Sequence, residues 1–89
     1  MPQEYQLSQN YPNPFNPSTT IEYSLPEHTN VSITIYDALG KEVEVLFNGE
    51  QGAGLHRLNW NASGYASGIY FYRMNTEKSV QVKKMLLLK

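Results

Sequence analysis

Catalysis and metal binding need a few reactive side chains converging on one point, and this chain of 89 residues holds few candidates. It has two histidines, His28 and His56, one aspartate, Asp37, and no cysteine. The histidines fit no His-x-His or His-Glu-x-x-His spacing, whereas a zinc site needs three or four converging ligands. His28 is expected to be a solvated turn residue and His56 a packed, hydrogen-bonded strand residue. No serine stands in a Gly-x-Ser-x-Gly elbow. Gly52-Ala53-Gly54 is too short for a phosphate-binding loop and no helical pattern follows it. Glu42 and Glu44 alternate along one run and read as an outward, solubilising edge, not as an acid–base pair. Asn30-Val31-Ser32 and Asn61-Ala62-Ser63 match glycosylation sequons, but three-residue patterns arise by chance. Without cysteine there is neither thiol chemistry nor a disulfide framework. The expectation is a protein that is not an enzyme and uses no cofactor or metal.

The elements that would carry any site are strands. A chain of this length makes one domain, residues 1–89, able to bury a modest single core. Seven Tyr, three Phe and one Trp favour β structure. Tyr5–Gln9 alternates weakly, as a short edge strand does. Asn10 to Pro17 holds three prolines in six residues; each fixes its own φ and extends the residue before it, so this is a rigid crossing, with Tyr11 and Phe15 expected to pin it. Ile21, Tyr23 and Leu25 share one face of a half-buried strand, and so do Val31, Ile33 and Ile35. Asp37-Ala38-Leu39-Gly40 is a hairpin turn. Glu42–Phe47 returns, and the double apolar step Val45-Leu46-Phe47 suggests a bulge. Asn48 to Gly54 reads as a flexible connection, and His56, Leu58 and Trp60 share a face of the strand after it. Gly68–Met74 is apolar on both faces, as a central strand is. Seven short strands with regular turn signals predict an all-β, immunoglobulin-like, seven-stranded antiparallel β-sandwich.

Charge and hydropathy restrict the partners. A net charge of −1 does not suit a nucleic-acid binder, which carries a broad basic face. No apolar stretch nears the ~20 residues of a membrane helix, so no membrane insertion is expected. The start, Met1 to Gln9, lacks the basic and apolar regions of a signal peptide. Met1 is therefore read as an addition to a piece of a longer protein, with residues 1–4 added or linking, and any export signal elsewhere. Carbohydrate binding would need Trp60 and Tyr65 exposed side by side; strand aromatics are more often core. The final strand is unusual. Lys78, Lys83, Lys84 and Lys89 give residues 78–89 a charge of +4, against −5 for residues 1–77. Met85-Leu86-Leu87-Leu88 is a continuous apolar run, so both faces of the strand want cover. Either the lysines are gatekeepers around a core strand, or the strand offers its backbone and apolar side chains to a partner by β-addition.

Four separated segments together resemble a known family: Leu7–Ile21 with Pro12-Asn13-Pro14-Phe15-Asn16-Pro17 inside it, Ile35–Val43, Ala66–Arg73, and Lys83-Lys84-Met85. They are similar to the type A C-terminal sorting domain of type IX (Por) secretion cargo, over nearly the whole chain from Leu7. The resemblance implies a non-catalytic, sandwich-shaped domain behind an N-terminally fused cargo. It implies recognition by the outer-membrane translocon, removal by a sortase-like cysteine peptidase, and delivery to the medium or the cell surface. Gly68 and Tyr70 match the family's Gly-x-Tyr strand motif. Lys83, Lys84, Met85, Leu86, Leu87, Leu88 and Lys89 match its sorting motif. The implied partners are translocon and sortase proteins, with the domain itself a monomer. An immunoglobulin-like module of the flagellar hook-capping type, structural or adhesive, shares much of the pattern and is the alternative.

Overall fold

The computed structural model describes residues 3–89; the expectation concerning Met1 lies outside the described residues. Seven strands form two antiparallel sheets that face each other. β1 (Gln6–Leu7), β2 (Ser18–Leu25) and β5 (Gly54–Asn61) make a sheet in the order β1-β2-β5. β3 (Thr29–Asp37), β4 (Glu42–Gln51), β6 (Gly68–Thr76) and β7 (Val80–Leu87) make the other, in the order β4-β3-β6-β7. This is the expected seven-stranded sandwich, and its division into three and four strands is consistent with an immunoglobulin-like arrangement.

Alternation decides what goes inside. Ile21, Tyr23 and Leu25 of β2, Val31, Ile33 and Ile35 of β3, and Tyr70, Tyr72 and Met74 of β6 are buried between the sheets. β6 lies between β3 and β7, as its two apolar faces require. The β3–β4 turn closes with Gly40 N–H donating to Asp37 C=O at 3.0 Å, while Asp37 Oδ1 accepts from the Leu39 and Lys41 amides at 2.9 Å each. Gly40 sits at φ 85°, where a Cβ is disfavoured.

Three expectations need correction. β4 does not stop at Phe47; it runs through Asn48 and Gly49, which pair with Ser32 and Val31. β3 is long enough to continue the ladder, and the Phe47 ring lies over Gly49, where a side chain would stand 3.6 Å from it. The bulge expected at Leu46 is present, and a second one at Val43 has no sign in the sequence. That second slip turns Glu44 inward, opposite Ile35, where its Oε1 accepts from Trp60 Nε1 and from the Tyr65 hydroxyl, each at 3.0 Å. Glu44 is thus a bonded, half-buried group and not part of a solubilising edge. The crossing at residues 10–17 is pinned by Phe15, 2% exposed, but not by Tyr11, which is 48% exposed and held by hydroxyl donation to Glu22. Trp60, as is usual for a strand aromatic, is core: it is buried against Phe15, Tyr65 and Tyr70, with ring centroids 5.8, 5.5 and 5.6 Å away. A carbohydrate platform of Trp60 and Tyr65 therefore does not exist.

Candidate functional site

The two histidines are occupied separately. His28 Nε2 lies 3.4 Å from a Glu50 carboxylate on the surface, and His56 stacks on Tyr23 with Nε2 2.9 Å from the Gly52 carbonyl. Among the described residues no group of three or more His, Asp or Glu is placed to hold a metal. What the fold does assemble is the β6–β7 pair, and it sorts the sequence-derived site residues into two sets.

One set points into the sandwich. Met85 and Leu87 of β7 are fully buried, and Tyr70 is nearly so, its hydroxyl donating to the Ala66 carbonyl at 2.6 Å. Lys83, paired with the buried Tyr72, shares that inner face and is half-buried. Gly68 opens β6 at φ 145°, a region L side chains rarely adopt, with open space where a Cβ would stand. Its role is conformational.

The other set faces outward. Lys84 is exposed and pairs with Phe71, Leu86 pairs with Ile69, and Val82, 54% exposed, pairs with Arg73. Leu88 is half exposed; Lys89 is exposed, with its Nζ donating to Ser63 C=O at 2.7 Å and its amide to Ser67 Oγ at 3.1 Å. Lys83 and Lys84 therefore sit on opposite faces of one strand and cannot act as a single cationic patch. The expectation that both faces of Met85–Leu88 need cover is likewise corrected: period-2 alternation persists to the end of β7, so only Met85 and Leu87 are enclosed.

The outer edge of β7 is covered along its C-terminal half. Leu7 N–H donates to Gln81 Oε1 at 3.0 Å and Gln81 Nε2 to Tyr5 C=O at 2.7 Å. Gln9 Nε2 donates to Lys84 C=O at 2.8 Å. Leu86 N–H donates to Asn13 Oδ1, Phe15 N–H to Leu86 C=O, and Leu88 N–H to Phe15 C=O, all at 3.0 Å. The proline-rich crossing is thus a strap along the last strand. It occupies the outward main-chain groups at the C-terminal half of β7, the Lys84 carbonyl, both groups of Leu86 and the Leu88 amide, a usual way to protect a sheet edge. The strap is anchored inside: the Tyr72 hydroxyl donates to Ser8 C=O at 2.6 Å and accepts from Asn10 N–H at 2.7 Å, and buried Asn10 donates to Thr19 Oγ1 at 2.9 Å. Burial pushes the Tyr72 phenol up to about 12, and burial does the same to Tyr23. Sequence reasoning misses Tyr72 and Asn10 as the strap's fastening, since nothing local relates residues 62 positions apart.

With this geometry in view, comparison with known proteins decides the assignment. The family model described as "Secretion system C-terminal sorting domain" matches residues 9–88. The chain belongs to that family. The match spans the whole sandwich apart from β1, strap and β7 included. No curated protein matches the chain. Among solved structures, the chain is similar to PorZ of Porphyromonas gingivalis, described as an essential bacterial surface component of the type-IX secretion system. The two share 24% identity at a TM-score of 0.59, over 96% of this chain but only 11% of PorZ. That likeness is one of fold. The sorting domain is the C-terminal secretion address of type IX cargo, and it directs export through the outer membrane to the cell surface or the medium. The family is in general non-catalytic.

Proposed function

We propose that the sorting domain acts as a folded, non-catalytic address, read by the type IX translocon through the outward side chains of β6 and β7. The observation carrying this reading is the strap: along Lys84–Leu88, the stretch that matches the sorting motif, the outward main-chain groups of Leu86 and Leu88 and the Lys84 carbonyl are already hydrogen-bonded, so what this stretch offers a partner is chiefly its side chains. Lys84, Leu86, Leu88 and Lys89 are the residues that touch the partner. Gly68, Tyr70, Met85 and Leu87 hold them in place from within, and Lys83 contributes from the inner side of the strand. The domain works as a monomer behind its cargo. Removal by a sortase-like peptidase takes place ahead of Leu7, because from Leu7 onward the chain is bonded into the sheets.

The test is a gain of function. A reporter with a periplasmic signal, placed ahead of residues 1–89 and expressed in a type IX host, is expected in the medium or on the cell surface. The same reporter without the domain is expected in the periplasm. Equal retention of both would defeat the proposal.

A further inference from the structure

Two shallow notches, one where the outer face of the four-stranded sheet meets the strap and one on that face, have similar linings. The first, about 170 Å³, is lined by Asn13, Ile69, Lys84, Met85 and Leu86. The second, about 240 Å³, is lined by Tyr36, Gly40, Phe71, Arg73 and Val82. Each has an apolar floor, one cation at its rim, and no carboxylate in its lining. Asn13 already accepts from the Leu86 amide through Oδ1, so its Nδ2 is the group left to offer, and that too is a donor. The Arg73 guanidinium is held 5.0 Å from the Tyr36 ring centroid. Among the described residues neither Arg73 nor Lys84 takes part in an ion pair.

Register fixes how the two cations are spaced. Lys84 stands opposite Phe71, and Arg73 is two residues further along β6, opposite Val82. Such diagonal neighbours on one face lie roughly 7–8 Å apart. In an extended segment, side chains two residues apart share a face at a spacing of about 6.5–7 Å. We infer that the β6–β7 outer face docks an extended acidic segment of a partner protein. Its two carboxylates, at positions i and i+2, sit on Arg73 and Lys84. Apolar side chains on either side of them rest on Ile69, Phe71, Val82 and Leu86. The inference deepens the sorting assignment, on which it rests, by naming the chemistry of the receptor: a strand or loop carrying alternate acids between aliphatic residues.

The first experiment needs no secretion host. The isotope-labelled domain is titrated by NMR with the synthetic peptide Val-Thr-Glu-Thr-Glu-Thr-Val, and with the same peptide carrying Lys for Glu. The acidic peptide should shift the amides of Ile69, Phe71, Arg73, Val82, Lys84 and Leu86. Binding should weaken about tenfold as salt screens the pairs, and Arg73→Glu with Lys84→Glu should abolish it. Shifts that are absent, scattered over other lysines, or equal for the Lys peptide would overturn the inference. In the host, the same double variant should lower reporter export about tenfold, while Arg57→Gln with Lys78→Gln, a pair away from the notches, should not. Should the reversal fail to fold, Arg73→Gln with Lys84→Gln replaces it. Export equal to the unaltered domain would again overturn the docking surface. Failure of the unaltered domain to export anything would instead strike at the sorting assignment and leave the titration standing.

Discussion

Tyr72 shows how much one side chain can couple. Its hydroxyl serves Asn10 N–H and Ser8 C=O at once, in a place where water cannot replace it. Tyr72→Phe leaves both backbone groups without that partner and should cost about 1–3 kcal/mol in urea denaturation, though no apolar contact is lost. The same burial makes the domain sensitive to alkali. Tyr72 and Tyr23 are both held up to about 12 in the folded state, against an ordinary 10, so the folded protein keeps protons that the unfolded chain releases. Their contribution is fully present below pH 10 and is lost as pH rises from 10 towards 12. Unfolding free energy measured against pH should fall across that window, less steeply in Tyr72→Phe than in the unaltered domain. Gly68 acts through its backbone alone. Because φ is 145° and the space where a Cβ would stand is open, Gly68→Ala should cost about 1–3 kcal/mol through backbone strain alone. A thermal melt compared with that of an exposed control such as Gly52→Ala checks it.

Elements are legible in the sequence where a regular period speaks, and hidden where a distant partner decides. Val31, Ile33 and Ile35 announce β3, and the Asp37–Gly40 turn announces its return, because both signals are local. The second bulge at Val43 leaves no local sign, so Glu44 looks solvated when it is bonded to Trp60 and Tyr65. β7 misleads in another way. Its apolar run suggests two buried faces, yet the ladder simply alternates, and the residues that close its edge lie more than seventy positions earlier. Prolines do reveal that residues 10–17 form a rigid crossing, but not what they cross. The strap yields a prediction at this scale. Phe15 fills the space beside Trp60 and lends both its backbone groups to β7, so Phe15→Ala should cost about 3–5 kcal/mol. In hydrogen exchange the Leu88 amide, which bonds to Phe15, should lose more protection than the Ile33 amide at the centre of the sandwich.

In the whole molecule, the strand proposed to carry the address is also part of the core. Removing residues 85–89 would delete two fully buried side chains, each worth about 2–5 kcal/mol, from a domain whose entire stability is about 4–13 kcal/mol. Such a truncation should abolish cooperative unfolding, and loss of export in it would say nothing about recognition. Removing Leu88 and Lys89 alone spares the core; circular dichroism should show an intact fold. The charge asymmetry of the chain also takes a different form once folded. Four lysines in the last twelve residues do not gather into one patch, for Lys83 and Lys84 diverge and Lys78 pairs with Glu27 at 2.9 Å. The face proposed for a partner is therefore the outward one, with Lys84 and Arg73 at its notches.

If the cell reads this domain as a folded surface and not as a linear string of C-terminal residues, export must follow the fold. The most direct measurement compares export of a reporter carrying the unaltered domain, Phe15→Ala, and Phe15→Leu in a type IX host. All three share an identical stretch from Gly68 to Lys89. Export should fall in proportion to the loss of folded domain, most in Phe15→Ala, and Phe15→Leu, which leaves a smaller cavity beside Trp60, should recover most of it. Undiminished export of the Phe15→Ala reporter, with circular dichroism showing its folded fraction reduced, would mean that the linear string suffices.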